Sequence, residues 1–154
     1  MQLAYLFNFP IGPLTLHTSH NKLTKIDLLP SHSPLQSHAP DIYIQQICYQ
    51  LESYFKNPKH IFSLELELTG TLFQQTVWQA LRQIPGGTTL SYNTLAKQLK
   101  TSPRAIGNAC RANPFPIIIP CHRIVAQNHI GGFAGTTTGT LIDIKKWLLR
   151  HEAV

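Results

Sequence analysis

A small α/β unit followed by a mainly helical one is the fold class that this sequence predicts, and three observations carry it. Apolar residues alternate at Leu3, Tyr5, Phe7 and Phe9, the period of a strand, while Ile44, Ile47, Cys48, Leu51, Tyr54 and Phe55 form one stripe of a helix. Beyond Gly70 the pattern is helical and punctuated by caps and stops. Charge changes at the same place: residues 1–68 carry four Lys/Arg against five Asp/Glu, net −1, whereas residues 69–154 carry nine against two, net +7. The 154 residues therefore divide into two small domains, 1–68 and 69–154.

In the first domain, Pro10-Ile11-Gly12-Pro13 supplies a turn into a second short alternation at Leu14 and Leu16, which makes a β-hairpin. A third strand is expected over Leu23 to Leu28, and the Pro/Ser/His-rich stretch from Pro30 to Pro40 is a loop. Asp41 caps the helix that follows and Cys48 lies in its core stripe. Phe62, Leu64, Leu66 and Leu68 alternate with Ser63, Glu65 and Glu67, an edge strand with an acidic outer face. The histidines here lack metal-ligand spacing, so no metal is expected.

In the second domain, Thr71-x-x-Gln74 is a capping box opening a helix with Phe73, Val77, Leu81 and Ile84 on its inner face, and Pro85-Gly86-Gly87 ends it. Ser91 caps a helix from Tyr92 to about Lys100 that buries Leu95, Ala96 and Leu99. After a turn, Ser102 caps a third helix with Pro103 at its first position, and Asn113-Pro114 stops it. Two short helices joined this tightly read as a helix-turn-helix. On the third helix Ile106, Ala109 and Cys110 point inward, whereas Arg104, Gly107, Asn108 and Arg111 point outward at the spacing a groove-docking helix uses. A solvated surface helix has the same pattern, and charge alone does not separate a polyanion partner from an ordinary soluble surface.

Composition narrows the function classes. With 43% hydrophobic and 13% charged residues the chain can fold unaided, and no apolar run is long enough for a membrane-spanning helix. The N-terminus has no basic residue ahead of its apolar stretch, so no secretory signal is expected and the location is cytoplasmic. Three scattered cysteines fit a reducing compartment.

The chemistry gathers after Asn113. Three prolines and three isoleucines make Pro114–Pro120 rigid and buried, and Cys121-His122-Arg123 ends that path. A free thiol is only a few per cent ionised at neutral pH, and His122 can take its proton directly or through water. A last helix is expected from a second capping box, Thr140-x-x-Asp143, with Leu141, Ile144 and Leu148 inward; near its end Glu152 is the leading group to orient His122. Gly131-Gly132-Phe133-Ala134-Gly135 is a flexible loop suited to closing over a flat ligand. A cysteine hydrolase and a plain helix-turn-helix regulator are rival readings; adjacent Cys and His on one rigid turn beside a DNA-type helix disfavour the first, and the second leaves that turn idle.

These residues resemble a known family. Asn113-Pro114, Pro120-Cys121-His122-Arg123, the Gly-Gly-aromatic segment and Trp147-Leu148-Leu149-x-His151-Glu152 look like the O6-alkylguanine-DNA alkyltransferases, the methylated-DNA–protein-cysteine methyltransferases. So do Phe73-Gln74-x-x-Val77-Trp78, Ile84-Pro85-x-Gly87, Ser91-Tyr92 and Arg104-Ala105-Ile106-Gly107.

The resemblance implies a ribonuclease-H-like α/β N-terminal domain and a mainly α, winged-helix-like C-terminal domain that binds double-stranded DNA through the minor groove. It implies base flipping, irreversible transfer of an alkyl group from O6-alkylguanine to Cys121, O4-alkylthymine as a second candidate substrate, and no cofactor; with no obligate protein partner evident in the sequence, a monomer is expected. Glu152 would orient His122, which deprotonates Cys121 through a water, while Asn113 braces the turn. Tyr92 would assist the leaving guanine and contact the flipped nucleotide's phosphate. Arg104 would fill the emptied stack, and Gly107, Asn108, Arg111 and Arg123 would complete the DNA surface. Carbonyls of Cys121 and Ile124, with amides near Phe133 and Ala134, would read the base.

Three departures from the family's pattern stand out. Phe133 replaces a common tyrosine, Thr136–Gly139 lengthens the connection to the last helix, and Ala153 follows Glu152 where glycine is usual. A non-enzymatic sensor of the same lesions, a further rival, lacks the cysteine that this chain retains at Cys121.

Overall fold

The computed structural model describes residues 2–28 and 41–153, in two units, Met1–Glu67 and Leu68–Val154. The loop expected over 30–40 lies outside the described residues.

In the first unit, β1 (Gln2–Phe9), β2 (Gly12–Ser19) and β3 (Lys22–Asp27) form an antiparallel meander. Phe9 pairs with Gly12, which leaves Pro10-Ile11 as a two-residue loop. Ser19 pairs with Lys22 across His20 and Asn21, both at positive φ (51° and 62°), the backbone that matches strand twist. The central strand buries Leu14 and Leu16 completely. Helix α1 (Ile42–Lys56) begins where Asp41 Oδ1 accepts the Ile44 N–H at 2.9 Å, and it buries Ile44, Ile47, Cys48, Leu51 and Tyr54. Burial pushes the Cys48 thiol up to about 12, so it stays protonated at neutral pH.

The edge strand expected from Phe62 to Leu68 is not one. Exposure alternates along the segment as predicted, but among the described residues it joins no ladder. The Gln50 side chain instead takes both backbone groups of Ser63, donating to its carbonyl at 3.0 Å and accepting from its N–H at 2.8 Å. At Ser63 one amide side chain thus supplies the pair of hydrogen bonds that a ladder would supply.

In the second unit, α2 (Leu72–Arg82) opens with the reciprocal capping box: Thr71 Oγ1 accepts the Gln74 N–H, and Gln74 Oε1 accepts the Thr71 N–H, both at 3.0 Å. Its inner face is Val77, Trp78 and Leu81; Phe73, expected inside, is 39% exposed. Trp78 takes that place because its indole N–H reaches the Ala109 carbonyl at 2.9 Å and joins α2 to α4. Helices α3 (Tyr92–Gln98) and α4 (Pro103–Arg111) carry the Ser91 and Ser102 caps and pack on each other as a helix-turn-helix. Short strands β4 (Leu90–Ser91) and β5 (Ile124–Val125) pair in parallel, which sets Tyr92 beside the turn formed by Cys121–Arg123.

Helix α5 (Thr140–Glu152) corrects a further expectation. Thr140 is its first residue, not its cap; Gly139, at φ 93°, precedes it and its carbonyl takes the Asp143 N–H at 3.1 Å. The buried face is Ile142, Ile144, Lys145, Leu148 and Glu152, while Leu141 is only half-buried. Among the described residues no helix is long and apolar enough to cross a membrane.

Candidate active site

Backbone geometry fixes the cysteine first. The Asn113 side chain accepts the Phe115 N–H and donates to the Ile119 carbonyl, both at 2.9 Å, spanning the proline-rich segment from one end to the other. Between those anchors Ile117 sits at φ 77°, a costly conformation for a β-branched residue that persists only where its surroundings impose it. The path then delivers Cys121 into a single 3₁₀ turn, with its N–H on the Ile119 carbonyl at 2.8 Å and its carbonyl accepting the Ile124 N–H.

The next two residues share one carboxylate. His122 Nε2 lies 2.7 Å from Glu152 Oε2, and Arg123 grips Glu152 with Nε at 2.8 Å and Nη2 at 2.9 Å while donating Nη1 to the Ile84 carbonyl at 2.6 Å. Burial lowers the His122 pKa below its ordinary value; Glu152 works against that, and Arg123 and Lys145 add to it. The imidazole is therefore neutral at pH 7 and able to accept a proton. With Nε2 committed to Glu152, the nitrogen that remains is Nδ1, which is buried and has no hydrogen-bond partner among the described residues.

Cys121, 7% exposed, opens onto a cavity of about 430 Å³ that is also lined by Tyr92, Arg104, Asn108, Cys110, Phe133 and Ala134. Burial raises its pKa; a hydrogen bond from Asn113, the Lys145 ammonium and its own backbone N–H pull the other way. Tyr92 is pushed up to about 12 by burial, with Cys110 and Cys121 adding to the effect, so its phenol stays protonated and can donate. A thiol, a neutral imidazole held by a carboxylate, and a protonated phenol thus gather around one cavity rimmed by α4.

Comparison with known proteins identifies the family. The profile described as "6-O-methylguanine DNA methyltransferase, DNA binding domain" matches residues 72–154, and that of its ribonuclease-like domain matches residues 3–68. The chain belongs to the 6-O-methylguanine DNA methyltransferase family. Similar proteins include the methylated-DNA–protein-cysteine methyltransferase of Methanosarcina acetivorans, 34% identical over 96% of both chains. That of Mycobacterium tuberculosis is 41% identical over 93% of this chain and 87% of its own. The crystal structure of Mycobacterium tuberculosis OGT in complex with DNA superposes with a TM-score of 0.75 at 38% identity, covering 97% of this chain and 92% of that one. An O6-methylguanine DNA methyltransferase from Methanococcus jannaschii gives 0.63 at 28% identity, over 97% and 93%.

Within this methyltransferase-family chain, the residues singled out from sequence fall into three groups. Cys121, Tyr92, Arg104, Gly107, Asn108, Arg111, Phe133 and Ala134 all line the cavity; His122, Asn113 and Glu152 do not, His122 being paired with Glu152 and Asn113 bonded along the segment that leads to Cys121. Arg123 does not fit a DNA surface: it is buried, and Glu152 and Ile84 occupy its guanidinium. Of the amides expected to face a base, Phe133 N–H is committed to the Thr136 carbonyl at 2.8 Å in a turn with Ala134 and Gly135 at positive φ, so Ala134 is the one left. The carbonyls of Cys121 and Ile124 each already accept one intrachain donor and keep a second lone pair.

Sequence reasoning missed Lys145. Counted there only as one of the nine cations of residues 69–154, it is fully buried, with Nζ 2.7 Å from the Ile124 carbonyl and 2.9 Å from the Gly132 carbonyl. The signal was its place between Ile144 and Leu148 on the inward face of α5, which periodicity assigns to the core regardless of residue type.

Proposed function

We infer that this protein repairs DNA by moving the alkyl group of O6-alkylguanine irreversibly onto Cys121, one transfer per molecule, with no cofactor. O4-alkylthymine is a second candidate substrate. The observation that carries this reading is the Cys121 thiol opening onto a base-sized cavity beside a neutral imidazole held by a buried carboxylate.

The reaction follows from that arrangement. His122 takes the Cys121 proton through a water at Nδ1, and Glu152 stabilises the imidazolium that results. The thiolate attacks the alkyl carbon; the S–C bond forms as the C–O6 bond breaks, and the electron pair stays on the base. Proton donation, assisted by the Tyr92 phenol, returns the base to guanine. A base inside a duplex cannot reach this cavity, so the nucleotide is extruded, and Arg104 at the rim fills the gap in the stack. Gly107 and Asn108 let α4 approach the minor groove, and the excess positive charge of residues 69–154 supplies phosphate attraction. Three free thiols among the described residues suit a reducing cytoplasm, where the protein acts as a monomer.

Mass spectrometry after mixing with one equivalent of O6-methylguanine duplex is the direct test. A single methyl on the Cys121 peptide is expected; methyl on Cys48 or Cys110, or turnover without label, overturns the mechanism.

A further inference from the structure

Arg111 stands exposed in the last turn of α4, and among the described residues no carboxylate meets it. Long cationic side chains in that position ordinarily keep their charged heads in water. This one turns to the cavity wall instead: its Nη2 donates to the Gly135 carbonyl at 3.3 Å, 24 residues along the chain. The guanidinium also fills the space that a side chain at Gly135 would take, since a Cβ built there would stand 2.9 Å from Nε and 3.5 Å from Cζ. Arg104, the other arginine lining this cavity, makes no such bond to the wall.

The segment held in this way carries Phe133, which lines the cavity together with Cys121. Phe133 and Thr136 exchange N–H and carbonyl at 2.8 and 3.0 Å, and the Thr136 hydroxyl donates to the Phe133 carbonyl at 3.1 Å, so the shape of the turn is set within itself. Its placement is set from outside. Lys145 holds the Gly132 carbonyl at the start of the turn, but toward α5 the chain runs on through Thr137 and Thr138, which are exposed and make no hydrogen bond among the described residues. The lengthened connection therefore leaves the far end of the turn to Arg111. We propose that Arg111 is a specificity-determining residue for alkyl transfer: by pinning Gly135 to α4 it fixes where the Phe133 wall stands across the cavity from Cys121, and so limits the size of the alkyl group that fits between them. The inference rests on Cys121 receiving the alkyl group.

The test uses two duplexes of one sequence, carrying O6-methylguanine or O6-benzylguanine at the same place, and reads the ratio of benzyl to methyl transfer rates onto Cys121 at saturating protein. A loss of DNA affinity acts on both duplexes and cancels from that ratio. Arg111→Ala raises the ratio about tenfold, the discrimination that room for one methylene gives in a pocket. Arg104→Ala slows both transfers and leaves the ratio where it was. Gly135→Ala, whose Cβ displaces the guanidinium, raises the ratio as well, and adding Arg111→Ala to it changes nothing further, because both remove one contact. A ratio unmoved or lowered in Arg111→Ala, raised equally in Arg104→Ala, or multiplied in the double variant overturns the proposal. A wild-type protein that takes neither group onto Cys121 would instead strike the function itself, a result separate from any change in the ratio.

Discussion

His122 Nε2 lies 2.7 Å from Glu152 Oε2, a contact between residues 30 apart in sequence whose side chains are almost wholly enclosed. The same carboxylate neutralises Arg123, so it both fixes an imidazole and counters a buried cation. Glu152→Gln should slow methyl transfer on the order of 100-fold, because an amide cannot stabilise the imidazolium. Glu152→Ala should in addition lower stability by about 3–5 kcal/mol by stranding the guanidinium. Single-turnover kinetics and urea unfolding read the two effects; a glutamine variant that transfers at the full rate would exclude the base mechanism.

Two arginines expected on DNA sit in different environments, and salt distinguishes them. Arg104 is exposed at the cavity rim, whereas Arg123 is enclosed on Glu152. Arg104→Ala should flatten the dependence of duplex affinity on salt by about one phosphate contact and slow transfer from duplex far more than transfer from free O6-benzylguanine. Arg123→Gln should leave the salt slope unchanged but unfold at lower denaturant. A reversed pattern would place Arg123 on the DNA.

The pH response follows from His122. Burial holds its folded pKa below the unfolded value of about 6.5, so the unfolded chain takes up the proton first as pH falls. Its contribution to stability is complete above about pH 6.5 and is lost as pH drops from there through the folded value. Melting temperature followed from about pH 8 to 5 should decline only in the acid part of that range, and transfer should keep its rate down to about pH 6.5. An acid limb of the rate centred above that value would mean that the base is not the enclosed imidazole.

Gly131 tests the packing of Tyr92. At φ 75°, a Cβ there would stand 3.0 Å from Tyr92 Cε2 and 3.2 Å from the Ala126 nitrogen. Gly131→Ala should cost about 1–3 kcal/mol and slow transfer by displacing the phenol. Gly12, at φ 112° with nothing within 4 Å of a built Cβ, is the control: its alanine variant carries backbone strain alone and should transfer normally. Equal transfer rates in the two variants would remove Tyr92 from the chemistry.

The sequence carried most of this architecture where one residue type has one local use. Asp41, Thr71, Ser91 and Ser102 each cap the helix expected of them, and the hairpin turn and helix-turn-helix follow from short-range punctuation. Alternation over residues 62–68 correctly encodes which side chains face in, but it does not encode whether a backbone partner exists, and there Gln50 intervenes. Arg123 and Lys145 were illegible for a related reason. Charged side chains read as solvated unless their partners are known, and those partners lie between 13 and 39 residues away in the chain. Gly139 displaced the Thr140 cap because the helix starts one residue earlier than the motif suggests, with Gly139 at positive φ taking the cap position.

The double duty of Glu152 bears on how such a protein can lose its activity over generations. A change at that carboxylate removes chemistry and scaffold together, so purifying selection meets it first as a folding defect. The sulfur of Cys121, by contrast, adds little to the scaffold: beyond a hydrogen bond from Asn113, it is the residue's backbone groups that brace the turn. Descendants that keep the shape and the lesion-binding surface but abandon repair have one inexpensive route, and it runs through position 121.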